Sequence, residues 1–297
     1  MHDGDDTAHS LCTAASEFLG CELMPDGWLE GGDEALVLKA LGAGQQYVLH
    51  ASPSRLSREQ LIWCHAVARY AAKVVPQAVA PLERNGATLT AWRDHQLAVF
   101  PFVEGQLASR SNNSHRIAAA QTLAVIQRAL LDWSGGPRPS VNESATEQNS
   151  PLLMADAKLD AWWHDAQPRA LTSVIHGDFY PRNLICEGDA IAGVIDWHDA
   201  TVAPLALELA GATFEFCRDE AHAVDMTSAQ AFVSAYRKAD GPVLSHDIDN
   251  LRHYLRLWLR RDVELNIACG ANEDDPYIAR QIALFRQLKN QTSTSFQ

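Results

Sequence analysis

The chain contains 297 residues, of which 47 % are hydrophobic and 21 % are charged, as expected for a folded protein with a sizeable core. Its net charge of −13, from 24 basic and 37 acidic residues, argues against a nucleic-acid-binding surface and is compatible with a cationic substrate. The sequence has no apolar run of about 18 residues, the length that a membrane helix needs, and its acidic start lacks the pattern of a secretory signal. The six cysteines form no C-x-x-C pair, so we expect a cytoplasmic protein with free thiols and no membrane partner.

The first hundred residues alternate between β-type runs and one helical pattern. Residues 35–41 and 46–51 predict two strands, and Gly42-Ala43-Gly44 between them predicts a hairpin. Ser57, with Gln60 three residues later, predicts a capping box at the start of a helix that ends at Pro76. Three further strands are predicted at residues 79–82, 88–92 and 97–102. This order predicts an α+β arrangement, an antiparallel sheet with one helix laid on it.

The chain changes character at Phe102-Val103-Glu104-Gly105, after which helical patterns dominate. Residues 134–151 are rich in Pro, Gly and Ser and predict a loop. Helices are predicted at residues 115–133, 157–166, 204–218, 227–239, 247–266 and 276–290.

A β-type island at residues 173–197 interrupts the helices, with the sequence SVIHGDFYPRNLICEGDAIAGVIDW. We predict a strand at 174–175, a loop at 176–182 and a hairpin of strands 183–186 and 191–195. The ends of a hairpin lie close together. Asp178, Asn183 and Asp196 should therefore converge at one rim.

This convergence suits phosphoryl transfer, which needs positioned charge more than covalent chemistry. Asn183 and Asp196 would supply the hard oxygen ligands that Mg²⁺ prefers when it is already bound to phosphate. Asp178 is then left as the base beside the acceptor hydroxyl. His176 is expected to brace the loop by hydrogen bonding.

The pattern H-x-D-x-x-x-x-N, followed by an apolar-apolar-Asp, resembles the catalytic and metal-binding loops of the aminoglycoside phosphotransferase superfamily, as do HGDFYPRNLI and GVIDW. That group includes antibiotic kinases, choline kinases and a homoserine kinase branch, and its fold is similar to that of protein kinases. The resemblance implies a nucleotide-binding lobe at residues 1–101, a hinge at 102–106 in FPFVEG, and a catalytic and substrate-binding lobe at 107–297. It implies Asp178 as catalytic base, Asn183 and Asp196 as Mg²⁺ ligands, and ATP or GTP as co-substrate.

The resemblance also predicts the nucleotide contacts. The hinge backbone at Phe102 and Val103 would bind the purine edge, with Ile185 and Ile195 as further contacts. The family usually has a Lys or Arg at the strand position occupied here by His50, whose imidazole is a weaker phosphate partner unless it is protonated. Lys39, Arg55 and Arg58 are alternative cations.

The partner of the usual cation is also missing, because the helix carries Cys64 and His65 at its middle where a Glu is expected. A degenerate pseudokinase would show both changes. The phosphate-covering loop would be residues 29–34, with two glycines and two acids beside them. An ordinary turn there is the alternative.

Further polar residues extend the predicted site. Asp199 could join the metal or face a cationic substrate, or simply cap a turn. Glu208 is expected to be a buried, paired carboxylate, and Arg182 could contact phosphate or substrate or pair with Glu208. In the resemblance, late acids such as Asp262 and Glu264 shape the acceptor pocket.

The leading hypothesis is therefore a nucleotide-dependent O-phosphotransferase that acts on a small hydroxylated molecule. An antibiotic, aminoglycoside-like or otherwise, is the first acceptor class, with a role in resistance or self-protection. Homoserine or a choline-like amino alcohol is the second. Three alternatives stay open: a non-catalytic pseudokinase, a metal-dependent hydrolase that adds His198 and Asp199 to the three site residues His176, Asp178 and Asp196, and an inactive protein in which these groups only cap loops. We expect no nucleic acid partner and either a monomer or a homodimer.

Overall fold

The computed structural model describes residues 2–29, 35–52, 56–140, 154–268, 270–272 and 274–290. The predicted phosphate-covering loop, apart from Leu29, and the alternative cation Arg55 lie outside the described residues.

The N-terminal part is built on one five-stranded antiparallel sheet with the strand order β1-β2-β3-β5-β4. Its strands are β1 (Met24–Trp28), β2 (Leu36–Gly42), β3 (Gln45–Ser52), β4 (Thr90–Trp92) and β5 (His95–Pro101). The hairpin predicted at residues 42–44 is confirmed, since β2 and β3 pair up to Gly42 and Gln45. Ala43 and Gly44 form its turn with left-handed φ values of 50° and 75°.

Two helices cover the opposite faces of this sheet, α1 (His2–Leu19) and α2 (Arg58–Ala72). Side chains of a strand alternate between the two faces, and β5 therefore contributes to two cores. Val99 packs in the cluster that contains Leu11 of α1, whereas Ala98 packs in the cluster that contains Leu61 of α2. The helix α1 is present in addition to the predicted α2.

The capping box predicted for α2 is confirmed. The Ser57 hydroxyl accepts from the Gln60 N–H, and the Gln60 side chain accepts from the Ser57 N–H, each at 3.2 Å. The helix ends at Ala72, one turn before the predicted end at Pro76. Its last turn tightens, because the N–H groups of Val74 and Val75 both donate to the Ala71 carbonyl.

Two N-terminal strand predictions need correction. Residues 79–82 do not form a strand. The Val79 N–H donates to the Val194 carbonyl at 2.9 Å and the Val194 N–H donates to the Gln77 carbonyl at 2.7 Å, in the C-terminal part, whereas the Leu82 N–H donates to the Val99 carbonyl of β5 at 2.8 Å. An apolar run signals burial but does not identify the hydrogen-bonding partner. The strand β1 was missed because its sequence MPDGW contains Pro, Asp and Gly, which are depleted in strands.

The C-terminal part is mainly helical, with α3 (Asn113–Leu130), α4 (Ala157–Ala166), α5 (Leu205–Cys217), α6 (Met226–Lys238), α7 (Ser245–Ile248), α8 (Leu251–Ala268) and α9 (Pro276–Lys289). Every residue of α5 is buried, and α3, α6 and α8 pack around it. The single helix predicted at residues 247–266 is in fact divided into α7 and α8, because the chain turns at Asp249 and Asn250, where the Asn250 side chain donates to the His246 carbonyl at 2.7 Å. Among the described helices, none is long and apolar enough to cross a membrane.

The predicted β-type island is confirmed as β7 (Thr172–Ile175) and the hairpin of β8 (Leu184–Glu187) and β9 (Ala190–Val194). Two short strands were not predicted, β6 (Gln106–Leu107) and β10 (Thr201–Pro204). The first pairs with β8 and the second with β7, so each of these two strands gains a further partner. The lobe boundaries at residues 101, 102–106 and 107 stay a prediction.

Candidate active site

The loop between β7 and β8 brings two of the predicted site residues into direct contact. The Asn183 side-chain amide donates to the backbone carbonyl of Asp178 at 2.9 Å and to its carboxylate at 2.8 Å. A 3-10 turn over Pro181–Asn183 folds the buried Asn183 back towards Asp178. These two bonds fix the orientation of the Asp178 carboxylate.

His176 ties this loop to the end of β9. Its buried Nδ1 accepts from the Asp178 N–H at 3.3 Å, so the neutral ring carries its proton on Nε2, which donates to the Ile195 carbonyl at 3.0 Å. The Ile195 N–H in turn donates to the Asn183 carbonyl at 2.9 Å. Burial lowers the pKa of His176 to about 4 even though Asp196 acts in the opposite direction. The imidazole is therefore a neutral brace near pH 7.

Asp196 follows directly after this junction and has an unusual backbone. Its φ is +59°, in the left-handed region that side chains other than those of Asn and Asp seldom adopt. The side chain is 43 % exposed, and one carboxylate oxygen accepts from Nδ1 of His198 at 2.9 Å. The turn out of β9 thus presents the second carboxylate beside Asn183.

Glu208 on α5 is hydrogen-bonded to this loop and is only 4 % exposed. One of its carboxylate oxygens accepts from the Gly177 N–H and the other from the side chain of Gln127, both at 2.9 Å. Glu208 is thus a buried carboxylate with partners, the environment that its apolar surroundings predicted. Arg182, in the same loop, is exposed.

The pKa values of the Asp178 and Asp196 carboxylates are shifted in opposite directions. Burial, together with the nearby charges of Asp199 and Asp196, raises the pKa of Asp178 well above its usual range. Burial would also raise the pKa of Asp196, but the hydrogen bond from His198 and the field of the surrounding imidazoles hold it below the usual range. One group is thus suited to accept a proton and the other to remain an anion.

The donor atoms at this rim fit a magnesium ion that is shared with phosphates. The Asn183 amide nitrogen is occupied by Asp178, which leaves its carbonyl oxygen without a partner among the described residues. One oxygen of Asp196 is occupied by His198, which leaves the other open. One amide oxygen and one carboxylate oxygen suit a cation that keeps its remaining positions for water and phosphate. In the described part of the chain, no group of three or more His, Cys, Asp or Glu side chains could hold a metal by itself. The hydrolase hypothesis requires such a group.

Four of the predicted nucleotide contacts are partly accessible. Ile185 and Ile195 are both half-buried, as are Phe102 and Val103. The Phe102 N–H already donates to the Gln46 carbonyl at 3.1 Å, so it is not available to a purine. The Val103 backbone has no hydrogen bond to the described residues. Val103 is thus the better hinge contact of the two.

His50 lies in an unexpected environment. Its ring centroid is 4.6 Å from that of His198, and burial, followed by the field of His198, lowers its pKa to about 3. The imidazole is therefore neutral near pH 7. Two of the alternative cations are engaged elsewhere: Lys39 lies 3.2 Å from an Asp26 oxygen, and Arg58 donates to the Gln96 side chain at 2.5 Å.

The predicted substrate residues separate into two places. The Asp199 backbone lies close to the loop between β7 and β8, because a Cβ on Gly177 would lie 2.0 Å from the Asp199 carbonyl oxygen. Asp262 and Glu264 lie on α8. Asp262 is held there by Tyr277 and Gln281 of α9, at 2.9 and 3.2 Å.

Charged and aromatic groups around Asp262 determine how it titrates. Burial raises its pKa to about 6, with the charge of Glu215 acting in the same direction and the Tyr277 and Gln281 hydrogen bonds and Arg218 opposing it. Asp262 belongs to a polar network between α8 and α9, whereas Asp199 belongs to the loop that follows Asp196.

The sequence did not single out three residues that shape this site. Gly177 adopts a φ of +87°, and Gln127 reaches Glu208 from α3. Arg138 donates to the carbonyls of His198 and Ala200, at 3.0 and 3.1 Å. The H-G-D order could have indicated Gly177. Gln127 and Arg138 come from distant segments. His198 was named only as a ligand in the hydrolase hypothesis, and its hydrogen bond to Asp196 was not predicted.

The fold as a whole matches known phosphotransferases. A thermostable mutant of aminoglycoside phosphotransferase APH(4)-Ia, in ternary complex with AMP-PNP and hygromycin B, has a TM-score of 0.61 over 95 % of this chain and 100 % of that chain, at 16 % identity. Spectinomycin phosphotransferase APH(9)-Ia, in complex with ADP and spectinomycin, has a TM-score of 0.59 over 94 % of both chains, at 13 % identity. At such identities the likeness establishes the fold alone. The fold is bilobal and protein-kinase-like, with a small antiparallel-sheet lobe and a larger, mainly helical lobe, as the sequence predicted.

The sequence profile of the phosphotransferase enzyme family, APH, matches residues 29–242, which are most of the chain. The protein therefore belongs to this family. A homoserine kinase of Afipia carboxidovorans is 28 % identical over 179 residues, covering 55 % of this chain and 53 % of that protein. The chain thus spans about half the length of the first curated relatives that it matches.

Proposed function

We propose that this protein is a nucleotide-dependent O-phosphotransferase that phosphorylates a hydroxyl group of a small molecule. The observation that carries the proposal is the joined arrangement of Asp178, Asn183 and Asp196 in a chain of the phosphotransferase family. The three groups lie on one loop and one strand end that are hydrogen-bonded to each other through His176 and Ile195. Such rigidity suits a reaction in which positioning and charge supply most of the catalysis.

In this proposal Asp178 accepts the proton of the acceptor hydroxyl. Its raised pKa makes it a stronger base than an ordinary carboxylate. The amide of Asn183 holds the carboxylate through one oxygen, so the other oxygen faces the acceptor. The Glu208 brace keeps the backbone next to Asp178 in place.

The proposed metal is Mg²⁺, held by the free oxygens of Asn183 and Asp196. When bound, it would neutralise the charge that develops on the transferred phosphoryl group. Asp196 contributes a permanent anion because its pKa lies below the usual range.

The proposed co-substrate is ATP or GTP, in line with the AMP-PNP and ADP present in the structural neighbours. The base would lie between the sheet and the β8–β9 hairpin, against Ile185, Ile195 and the Val103 backbone. His50 could contact a phosphate only as a neutral N–H donor, since its pKa is about 3. A neutral imidazole would then bind the phosphates more weakly than a Lys or Arg side chain would.

Two acceptor classes follow from different observations. Sequence similarity favours homoserine or a related amino alcohol, because curated relatives at 28–29 % identity are homoserine kinases. Structural similarity favours antibiotics, because the neighbours hold hygromycin B and spectinomycin. We place homoserine first, since likeness at 13–16 % identity carries the fold alone. A role in resistance or self-protection would follow only from the second class.

The test is a panel of acceptors, containing homoserine, choline, hygromycin B and spectinomycin, incubated with Mg-ATP or Mg-GTP. A mass gain of one phosphate on one acceptor is the expected result. Asp178→Ala and Asp178→Asn should lower that rate by at least about 100-fold while nucleotide binding remains.

Equal rates in the wild-type protein and in both Asp178 variants would refute the assigned base. Nucleotide binding without any transfer that depends on Asp178 would instead support the pseudokinase. Release of inorganic phosphate without an acceptor product would support a hydrolase.

A further inference from the structure

Three imidazoles meet where the sheet, α2 and the loop after β9 come together. His198 on the loop lies between His50 of β3 and His65 of α2, with ring centroids 4.6 Å and 6.1 Å away. His50 occupies the position of the expected cation, and His65 lies where its Glu partner is expected. The contact between the three elements is therefore made by imidazole rings rather than by a pair of Lys and Glu side chains.

Hydrogen bonds hold His198 at both its ring and its backbone. Its side chain is 10 % exposed, and Nδ1 bonds the Asp196 carboxylate at 2.9 Å. Its backbone carbonyl accepts from the Arg138 guanidinium at 3.0 Å and from the Cys64 thiol at 3.4 Å. Both the ring and the backbone of this residue are thus fixed, one of them by α2.

The state of the ring follows from its partners. The ionised Asp196 carboxylate can only accept, so Nδ1 of His198 carries a proton. Nε2 of His198 is buried and has no partner among the described residues, and the same is true of Nε2 of His65. A buried nitrogen without a partner is costly. The only hydrogen bond that the His198 ring makes with the described residues is therefore the one to Asp196.

Asp196 needs such a partner. Its carboxylate can rotate about χ1 and χ2, so the backbone, with its left-handed φ of +59°, does not by itself determine where the carboxylate points. With one oxygen bound to His198, the second oxygen has one preferred direction. That second oxygen is the one the proposed function assigns to the cation.

We propose that His198 is a positioning residue that orients Asp196 for Mg-nucleotide, with the rings of His50 and His65 packed against it to hold its plane. This inference rests on the proposed function. It replaces the missing ion pair with a contact between imidazole rings that links β3 and α2 to the metal-binding carboxylate. Partners of metal ligands typically contribute about 10–100-fold to metal affinity.

The test compares three variants that differ in which ring nitrogen they imitate. The amide nitrogen of His198→Asn lies near the position of Nδ1 and can still donate to Asp196, whereas that of His198→Gln lies near Nε2 and cannot. His198→Ala removes both. His164→Asn, an exposed residue on α4, is the matched control.

The measurement is the Mg²⁺ concentration that gives half-maximal nucleotide binding, followed by calorimetry, with the unfolding temperature recorded in parallel. We expect a rise of at least about 10-fold for His198→Ala and His198→Gln, and a rise of less than about 3-fold for His198→Asn. His164→Asn should match the wild-type protein.

Two results would overturn the proposal. One is an unchanged Mg²⁺ requirement in His198→Ala. The other is an equal rise in the Asn and Gln variants that follows their loss of unfolding temperature, which would indicate a packing role only. Failure of the proposed function would give a different result, because the wild-type protein itself would then bind nucleotide independently of Mg²⁺. The two failures are therefore distinguishable.

Discussion

Glu208 offers the sharpest test of how the catalytic loop is supported. Replacing it with Ala removes the acceptor for the Gly177 N–H and for one N–H of Gln127, both at 2.9 Å. Each buried donor without a partner costs about 1–3 kcal/mol, so Glu208→Ala should lower the free energy of unfolding by about 2–5 kcal/mol. For a chain of this size the unfolding temperature should fall by about 5–10 °C.

Glu208→Gln should have an intermediate effect, for a reason specific to this site. The oxygen of the new amide can still accept from the Gly177 N–H, but the nitrogen of the new amide faces the amide nitrogen of Gln127. Gln127 cannot rotate to relieve this, because its oxygen accepts from the Tyr236 hydroxyl at 2.5 Å and its nitrogen donates to the Leu205 carbonyl at 3.1 Å. We expect about half of the loss seen with Ala.

The assay is urea unfolding at pH 7 together with phosphate transfer, and the control is Glu17→Gln on the exposed side of α1. Transfer should fall more than nucleotide binding does, because Gly177 precedes Asp178, the proposed base. A Glu208→Ala protein as stable as the Glu17→Gln control would refute the reasoning.

Three further changes test other parts of the site. Asp196→Ala should abolish the Mg-dependent thermal stabilisation by nucleotide, and stabilisation that survives would remove Asp196 from the metal. Gly177→Ala should cost about 2–4 kcal/mol in urea unfolding, because φ is +87° and the new Cβ would lie 2.0 Å from the Asp199 carbonyl oxygen; an unchanged midpoint would contradict this. Asp262 has a native pKa of about 6 against a usual 3.8, so it binds more protons folded than unfolded and its stabilising contribution, full below about pH 4, is lost as pH rises to 6. The free energy of unfolding should fall by up to about 3 kcal/mol over this pH range in the wild-type protein, and this fall should be absent in Asp262→Asn. Identical pH profiles of the wild-type protein and the variant would refute this prediction.

Local signals identified much of the fold. The capping box of Ser57 and Gln60 determines where α2 begins, because both partners lie within one turn. The hairpin at residues 42–44 was equally clear. The strand β1 and the division between α7 and α8 were missed, since MPDGW is a poor strand sequence and the turn at Asn250 depends on a side-chain bond to His246.

The sequence by itself determined the chemical groups on the β7–β9 segment and their convergence, because a tight hairpin leaves little freedom in where Asp178, Asn183 and Asp196 lie. Only the tertiary structure decided what surrounds them. Glu208 reaches the loop from a buried helix, and His198 meets His50 across a gap of 148 residues in the sequence. Such contacts depend on the packing of separate elements, and periodicity and spacing along the chain carry no information about which distant residues will meet.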